Sequence, residues 1–339
     1  MSTTITRKAW GTANGEDIYL FRLQNSTGAF VEITNYGATL VSINVPDKHS
    51  KLGNVIIGFP TLEGYLNDTC YIGSTIGRYA NRISNARFNL DGTIYQLEIN
   101  DGINTNHSGA SGFNSKVFGF EVNGDELVMV LHSNDGDGGF PGNLNLRVTY
   151  KWSNDNELSI HYKAVSDKNT FANVTNHAYF NLSNGDLTVL DHQLDISAEQ
   201  IVAAGEDYIP TGEIVPTADI NFQGESIGKK LTTESGEITG INSYYILNKS
   251  RQFAAKLTDE SSGRALTVNT SYPGMFFYTG DYLTSKYLND NNRTCQPFEG
   301  LCVECQHYPD SMNRPEFPSA MLPKHHVYDE YINFKFGLI

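Results

Sequence analysis

The chain has 339 residues, of which 39% are hydrophobic and 18% charged, proportions typical of a folded rather than a disordered protein. Its net charge of −14 at pH 7 opposes binding to nucleic acid and to anionic lipid, so neither is expected as a partner. The N-terminal segment has no apolar core like that of a signal peptide, and no window approaches 18 apolar residues. Together these features predict a cytoplasmic protein without a membrane span.

Cysteine usage and composition also bear on the organisation of the chain. Without a secretion signal, Cys70, Cys295, Cys302 and Cys305 are expected to be free thiols in a reducing compartment. No composition break, linker, low-complexity tract or fixed-period repeat divides the sequence. A single domain over residues 1–339 is therefore predicted. A monomer and a homodimer are both compatible with the sequence.

The predicted elements, taken in chain order, are nearly all strands. Thr61–Asn67 is the best candidate for a short helix. Asp91-Gly92 separates two apolar runs, 87–90 and 93–99, and Asn123-Gly124 separates 118–122 from 127–131; both dipeptides supply the positive φ angles of tight hairpins. Residues 144–152 and 158–164 alternate apolar and polar side chains, which predicts a longer hairpin. Many strands with short returns predict an all-β fold, a large antiparallel β-sandwich at this length.

Glu304 lies in residues 300–306 (GLCVECQ), which are predicted to form a strand. Alternation places Cys302, Glu304 and Gln306 on one face and the apolar side chains on the other. The segment alone leaves a catalytic carboxylate and a salt-bridged or edge-exposed glutamate equally open. Cys302 and Cys305 point to opposite faces of a strand, so their spacing does not predict a shared metal ion, and inert core thiols are expected.

His177 lies in residues 175–182 (TNHAYFNL), which are also predicted to form a strand. Thr175, His177, Tyr179 and Asn181 would share one polar face. Such a face is typical either of a strand that lines a sugar site or of a strand that faces solvent, and the segment alone slightly favours solvent.

His107 lies in a run rich in Gly and Asn, 101–114, which predicts a loop. A lone histidine on a loop is usually exposed, and His161, His325 and His326 are interpreted as surface residues of that kind. Glu304, His177 and His107 together would supply one carboxylate and two imidazoles, groups that exchange protons near neutral pH without a cofactor.

Two further segments carry several charged or glycine residues. Arg78, Arg82 and Arg87 fall within ten residues, but the acidic background makes a nucleic-acid patch improbable, so one arginine bound to hydroxyl groups is favoured. The glycine-rich run 135–142 lacks the ligand spacing of a calcium loop and the ending of a phosphate loop, so a connection between strands is predicted.

Seven segments in one order resemble the aldose 1-epimerases, the galactose mutarotases, over nearly the whole chain. They are GRYANRI (77–83), NTNHSG (104–109), GDGGFPG (136–142), TNHAYFNL (175–182), SGR (262–264), FYTG (277–280) and ECQHYPDS (304–311). No single motif is specific to this family, but the presence of seven motifs in the same order is. The resemblance implies a large antiparallel β-sandwich of the galactose mutarotase type, in agreement with the strand pattern.

The resemblance also implies roles for matching residues. Glu304 corresponds to the general base, His177 to the general acid and His107 to a second histidine at the reacting oxygens. Asn81 and Arg82 correspond to ligands of sugar hydroxyls, and Tyr179 would share the polar face of His177.

Three positions depart from the family pattern. Asn242, in GINS (240–243), stands where an aspartate is usual, and Phe276 stands where a glutamine is often seen. Residues 106–109 (NHSG) replace the more usual sequence around the loop histidine. An aspartate accepts two hydroxyl bonds as an anion, whereas an asparagine offers one acceptor and one donor group, so the departure at Asn242 concerns the choice of sugar.

The expected activity is the interconversion of α and β anomers of a free hexose, galactose or glucose, by opening and reclosing of the ring. The chemistry requires no cofactor and no metal, and the expected partner is a small sugar. The alternatives are a mutarotase for another reducing sugar, such as the disaccharide maltose, and a non-catalytic carbohydrate-binding protein. A glycoside hydrolase or lyase is less favoured because it normally needs two carboxylates and only one good candidate is present.

Overall fold

The computed structural model describes residues 3–185 and 188–339. In the first half of the chain the elements are β1 (Thr4–Ala13), β2 (Glu16–Gln24), β3 (Phe30–Thr34), β4 (Thr39–Pro46), β5 (Leu52–Asn54), α1 (Leu62–Leu66), β6 (Thr75–Ile76), β7 (Arg82–Ile83), β8 (Arg87–Leu90), β9 (Thr93–Gln96), β10 (Thr105–Asn106), β11 (Gly119–Asn123), β12 (Glu126–Ser133), β13 (Leu144–Trp152) and β14 (Glu157–Ser166).

The second half continues with β15 (Thr170–Phe171), β16 (Thr175–Asn176), β17 (Tyr179–Phe180), β18 (Gln193–Ile196), β19 (Ala198–Ala204), β20 (Pro210–Pro216), β21 (Gln223–Ser226), α2 (Ile227–Leu231), β22 (Asn242–Leu247), β23 (Ala255–Asp259), β24 (Arg264–Thr270), β25 (Gly274–Tyr278), β26 (Leu301–Gln306), β27 (Met321–Leu322) and β28 (Val327–Leu338). Short 3₁₀ turns connect several of them. No helix among these described elements is long and apolar enough to cross a membrane.

Three large antiparallel sheets organise the chain. Their strand orders are β1-β2-β3-β4-β5, β11-β12-β13-β14-β28-β24-β23-β18-β21 and β17-β26-β25-β22-β19-β20. The largest buried cluster combines side chains from all three, for example Phe21, Trp152 and Phe277. Burial of large aromatic and branched side chains between sheets is the main stabilising term of a sandwich. The prediction of an all-β antiparallel sandwich is confirmed, and the single domain over 1–339 stays a prediction.

Local predictions from turn chemistry can be compared with the strand registers. In the β8–β9 hairpin Leu90 pairs with Thr93, and both loop residues, Asp91 and Gly92, have positive φ as expected. The β13–β14 hairpin pairs Trp152 with Leu158, also as predicted. In the β11–β12 hairpin Asn123 pairs with Glu126, so the loop is Gly124-Asp125, one residue later than predicted. The short helix α1 falls within the predicted segment.

Candidate active site

Glu304 lies in β26, the predicted strand, and its side chain is 2% exposed. Its cross-strand neighbour is Phe276 in β25. Burial raises the pKa of the Glu304 carboxyl to about 8, and the charge of Arg82 opposes that rise. Within 3–185 and 188–339, no group forms a hydrogen bond with Glu304 Oε2. The carboxyl group is therefore a buried acid with an unpartnered oxygen rather than the edge-exposed glutamate considered from the sequence.

His177 does not lie in a continuous strand, and the prediction for residues 175–182 is wrong in this respect. Two short strands, β16 and β17, flank a break at His177-Ala178. The side chain of Asn176 causes the break, since its Oδ1 accepts a hydrogen bond of 3.1 Å from the Ala178 backbone N–H. The chain thereby leaves β6 and joins β26.

The register of β17 explains how His177 reaches Glu304. Tyr179 pairs with Cys302 and Phe180 with Leu301, so continuation of the antiparallel register places His177 opposite Glu304. His177 Nε2 lies 3.6 Å from Glu304 Oε1, which is too long for a hydrogen bond but close for two proton-exchanging groups. Burial lowers the pKa of His177 to about 4, and an interaction with the backbone of the same residue partly opposes this.

Two other members of the predicted polar face lie outside the cavity. Neither Thr175 nor Asn181 belongs to its lining, whereas His177 and Tyr179 do. Asn181 instead donates to the Glu299 carbonyl at 2.7 Å. The break between β16 and β17 separates Thr175 from His177, and Asn181 lies beyond the end of β17.

His107 follows β10 and is 6% exposed, contrary to the expectation of an exposed loop histidine. Three consecutive residues, 107–109, have positive φ, so the chain turns directly after β10, which pairs with β7. The Asn81 backbone N–H donates to His107 Nδ1 at 3.2 Å, so the neutral ring carries its proton on Nε2. Burial lowers the pKa of His107 well below its usual value, and His177 and Arg82 add to this effect.

The three residues meet in one place. The rings of His107 and His177 have centroids 5.4 Å apart. One ligand atom from each of His107, His177 and Glu304 lies within 4.8 Å of the others, a separation that would suit a metal ion. The proton on His107 Nε2, however, leaves that nitrogen without the lone pair that a metal ligand needs. The arrangement favours proton exchange over metal binding.

Arg82 reaches the same cavity and is held on two sides. Its Nε donates to Asp101 Oδ2 at 2.6 Å, and its guanidinium carbon lies 4.9 Å from the ring centroid of Tyr208. The salt bridge uses Nε, so the two terminal nitrogens are available for hydroxyl groups. Asn81 is 3% exposed, and its Oδ1 accepts from the Arg82 backbone N–H at 2.7 Å.

The other two arginines have different surroundings. Arg78 is buried, and its guanidinium donates to the carbonyls of Pro141 and Gly142 in the glycine-rich loop. That loop connects β12 to β13 as predicted. Arg87 is exposed. Of the three arginines, Arg82 alone lines the cavity, and its binding of hydroxyl groups stays a prediction.

The cavity has a volume of about 340 Å³, within the usual range for small-ligand sites. All predicted site residues line it, namely Asn81, Arg82, His107, His177, Tyr179, Asn242 and Glu304. Residues that the sequence interpretation did not assign also line it: Thr69, Cys70, Tyr71, Asn106, Phe276, Tyr278, Tyr282 and Thr284. Of these, Asn106 and Tyr278 fall in motifs noted in the sequence, and Phe276 was noted as a departure from the family pattern, so the sequence held a signal for these three.

Asn106 adds a second buried acceptor to the cavity. Its Oδ1 is inaccessible to solvent and has no hydrogen-bond partner in the described part of the chain. Buried polar atoms are normally satisfied, and exceptions call for an explanation such as a ligand. Asn106 Oδ1 and Glu304 Oε2 are therefore two buried acceptors, on residues that line the cavity, without partners among the described residues.

The three histidines interpreted from the sequence as surface residues do lie at the surface. His325 and His326 are exposed, and His161 lies beside Asp329 at the surface. All four cysteines are free. Cys302 differs from the expectation of an inert core residue because its Sγ lies 3.5 Å from His177 Nδ1.

Comparison with known proteins identifies the class. The family model for aldose 1-epimerase matches residues 19–335. Galactose mutarotase from Mus musculus is 35% identical over 343 residues, covering 99% of both chains, and aldose 1-epimerase from Escherichia coli K12 is 32% identical over 317 residues, covering 90% of both. A crystal structure of galactose 1-epimerase from Lactobacillus acidophilus NCFM superposes with a TM-score of 0.87 at 26% identity, covering 99% of both chains.

The chain belongs to the aldose 1-epimerase family, and its class is that of the mutarotases, which are isomerases. The implied fold and the suspected family are both confirmed. A non-catalytic carbohydrate-binding protein is not favoured by these relatives. The roles of the individual site residues stay predictions.

Proposed function

We propose that this protein interconverts the α and β anomers of a free hexose, with Glu304 and His177 as the acid–base pair. The observation that carries the proposal is the 3.6 Å approach of two buried, oppositely perturbed groups in one small polar cavity. Strongly perturbed pKa values in a cavity are typical of catalytic groups.

The reaction needs one proton to leave the anomeric hydroxyl and another to reach the ring oxygen. Glu304, as the carboxylate, takes the hydroxyl proton, and His177, as the imidazolium, donates from Nε2 to the ring oxygen. The C1–O5 bond breaks and an open-chain aldehyde forms. Rotation about C1–C2 presents the other carbonyl face, and reclosure returns both protons. The same two groups serve in both directions because each has exchanged its role.

His107 contributes a fixed hydrogen-bond donor to this reaction. The Asn81 N–H on Nδ1 leaves the proton on Nε2, and the low pKa keeps the ring neutral at physiological pH. A neutral donor stabilises developing negative charge on a sugar oxygen without competing for the proton in transfer. His107 therefore polarises an oxygen, whereas His177 moves a proton.

The sugar hydroxyls would be bound by the polar lining. Arg82 and Asn81 form one side, Asn106 offers its unpartnered oxygen, and Tyr179 and Asn242 complete the wall. Asn242 is the first residue of β22, opposite Tyr278. Its neutral amide in place of a carboxylate favours glucose relative to galactose, compared with an aspartate-containing relative.

A reducing disaccharide such as maltose belongs among the candidate substrates. Tyr282 lines the cavity, and its side chain is 64% exposed, so it offers a second ring an aromatic face. The free thiols are consistent with a cytoplasmic location.

Polarimetry of freshly dissolved α-galactose, α-glucose and α-maltose tests the proposal. The protein should accelerate the approach to anomeric equilibrium, and Glu304→Gln should reduce kcat about 10²- to 10⁴-fold while sugar binding is retained. The amide keeps the shape of the side chain but cannot accept the proton.

Glu330→Gln is the matched control. Glu330 Oε1 lies 3.3 Å from His307 Nε2, in a second His–Glu pair whose residues do not line the cavity. This variant should retain wild-type rates. An unchanged rate for Glu304→Gln, or an equal loss for Glu330→Gln, would remove Glu304 as the base.

A further inference from the structure

We propose that Cys302 is a positioning residue for His177, with its sulfur accepting the Nδ1–H of the imidazole so that Nε2 remains the proton-transfer atom. This inference rests on the proposed function, in which His177 donates to the ring oxygen. It concerns a thiol that the mechanism above does not use.

One strand contacts both nitrogens of the same ring. Cys302 and Glu304 are two residues apart in β26, so their side chains lie on the same face, about 7 Å apart along the strand. His177 lies between them, with Nδ1 3.5 Å from Cys302 Sγ and Nε2 3.6 Å from Glu304 Oε1. The geometry follows from the register, since Tyr179 pairs with Cys302 and the chain then returns to His177.

The direction of the hydrogen bond can be assigned from the groups that face the two ring nitrogens. Nε2 lies 3.6 Å from Glu304 Oε1, and burial keeps that carboxyl group protonated up to about pH 8. An acid that can donate to Nε2 favours the lone pair of the neutral ring on Nε2 and its proton on Nδ1. The Cys302 sulfur then accepts from Nδ1–H. His177 and His107 are thus held in opposite tautomers, because the Asn81 N–H forces the proton of His107 onto Nε2.

A thiol suits this position better than a stronger acceptor. Cys302 is fully buried, and burial raises the pKa of its thiol well above the usual value, with the nearby Glu304 adding to the rise. The sulfur therefore stays neutral and accepts only weakly. A carboxylate beside Nδ1 would make the imidazole much more basic, as it does in metal-bound histidines. The thiol orients the ring and leaves it able to release its proton.

Surrounding rings limit the other orientations of the imidazole. The centroids of Tyr179, His107 and Tyr71 lie 5.1, 5.4 and 5.9 Å from that of His177. These contacts confine the plane of the ring, but they do not choose which nitrogen carries the proton. That choice depends on the groups facing the two nitrogens, Cys302 at Nδ1 and Glu304 at Nε2.

The test compares Cys302→Ala, Cys302→Ser and a matched control, Cys305→Ala. Cys305 lies in the same strand, is equally buried and faces the core. Both alanine variants should therefore lose similar thermal stability. Cys302→Ala should lower kcat about tenfold with KM changed less than twofold, Cys302→Ser should recover at least part of the loss, and Cys305→Ala should keep the wild-type kcat.

A second measurement reads the tautomer without using activity. In ¹⁵N-histidine-labelled protein at pH 7, the His177 signals, assigned by their loss in His177→Gln, should report a proton on Nδ1. Cys302→Ala should shift the population toward Nε2–H, and Cys305→Ala should not. If wild-type protein failed to exchange anomers, the proposed function would be wrong, but the NMR measurement would still test the contact between Cys302 and His177.

Three results would overturn the inference. The first is a Cys302→Ala protein that matches Cys305→Ala in kcat and in the tautomer of His177. The second is a loss of kcat without a change of tautomer, because the thiol would then act elsewhere. The third is a serine variant no better than the alanine variant, because a hydrogen-bonding role requires some recovery.

Discussion

The pH dependence of kcat/KM is the most direct test of the buried Glu304–His177 pair. The pair is active when it holds one proton. With two protons bound there is no base, and with no proton bound there is no acid. Burial lowers the pKa of His177 to about 4 and raises that of Glu304 to about 8. Since kcat/KM reports the free enzyme, its profile should be flat between these two values.

The activity that remains at pH 8 distinguishes this pair from a glutamate and a histidine with ordinary pKa values. With an upper limb at pH 8, kcat/KM at pH 8 should be about half its plateau and at pH 10 about 1% of it. Ordinary values of about 4.3 for glutamate and 6.5 for histidine would place the upper limb near 6.5. Activity at pH 8 would then be about 3% of the plateau. The two cases differ by more than tenfold at one convenient pH.

Initial rates at sugar concentrations well below KM, followed by polarimetry from pH 4 to pH 10, give the profile. Free sugars also mutarotate without enzyme, so the rate with an equal concentration of Glu304→Gln protein is subtracted at each pH. A loss of thirtyfold by pH 8 would refute the argument that burial, rather than mutual charge, controls this pair. A circular dichroism spectrum at each pH checks that the fold persists.

Three other predictions follow from the same residues. Phe276→Gln places an amide donor opposite Glu304, which stabilises the carboxylate. The pH at which kcat/KM falls on the alkaline side should therefore move downward by about 1 to 2 units. No movement would show that Phe276 does not control the carboxyl group. Asn242→Asp should raise the ratio of kcat/KM for galactose to kcat/KM for glucose roughly two- to thirtyfold. Ser243→Asp, which changes the next residue of β22, should leave this ratio unchanged. Equal ratios in both variants would contradict the specificity argument. In urea unfolding, the free energy of unfolding of Glu304→Gln relative to that of wild type should increase by up to about 4 kcal/mol from pH 5 to pH 9. The pKa of Glu304 is higher in the folded than in the unfolded protein, so wild-type stability falls as pH rises through this range. A constant difference would place the Glu304 pKa near its ordinary value.

Sequence periodicity predicted the parts of the site that lie on regular strands. The alternation in residues 300–306 gave the correct face for Glu304, because β26 is continuous and paired with β25 along its length. The family resemblance added the order of the motifs and therefore the pairing of Glu304 with His177. Neither signal depends on contacts between distant residues.

The rest of the site depends on side chains that interrupt regular structure. Asn176 breaks the strand at His177 by accepting a backbone hydrogen bond, and a single asparagine in a polar run gave no distinctive pattern. His107 is buried, and its ring accepts from a backbone N–H of Asn81, a contact across 26 residues. Arg82 is oriented by Tyr208, from the loop between β19 and β20. Such contacts arise from tertiary packing, which a local pattern does not encode.

The unpartnered Glu304 Oε2 connects sugar binding to proton placement. In the empty cavity the pKa values place the shared proton on Glu304, which is the wrong group for attack on the anomeric hydroxyl. In the proposed mechanism, a bound sugar donates hydroxyl protons to acceptors that lack partners among the described residues, and hydrogen bonds to a carboxylate favour its ionised form. The carboxyl group then releases its proton to His177 Nε2, 3.6 Å away. On this proposal, burial keeps the empty site uncharged, and the bound sugar produces the ionised pair that opens its ring.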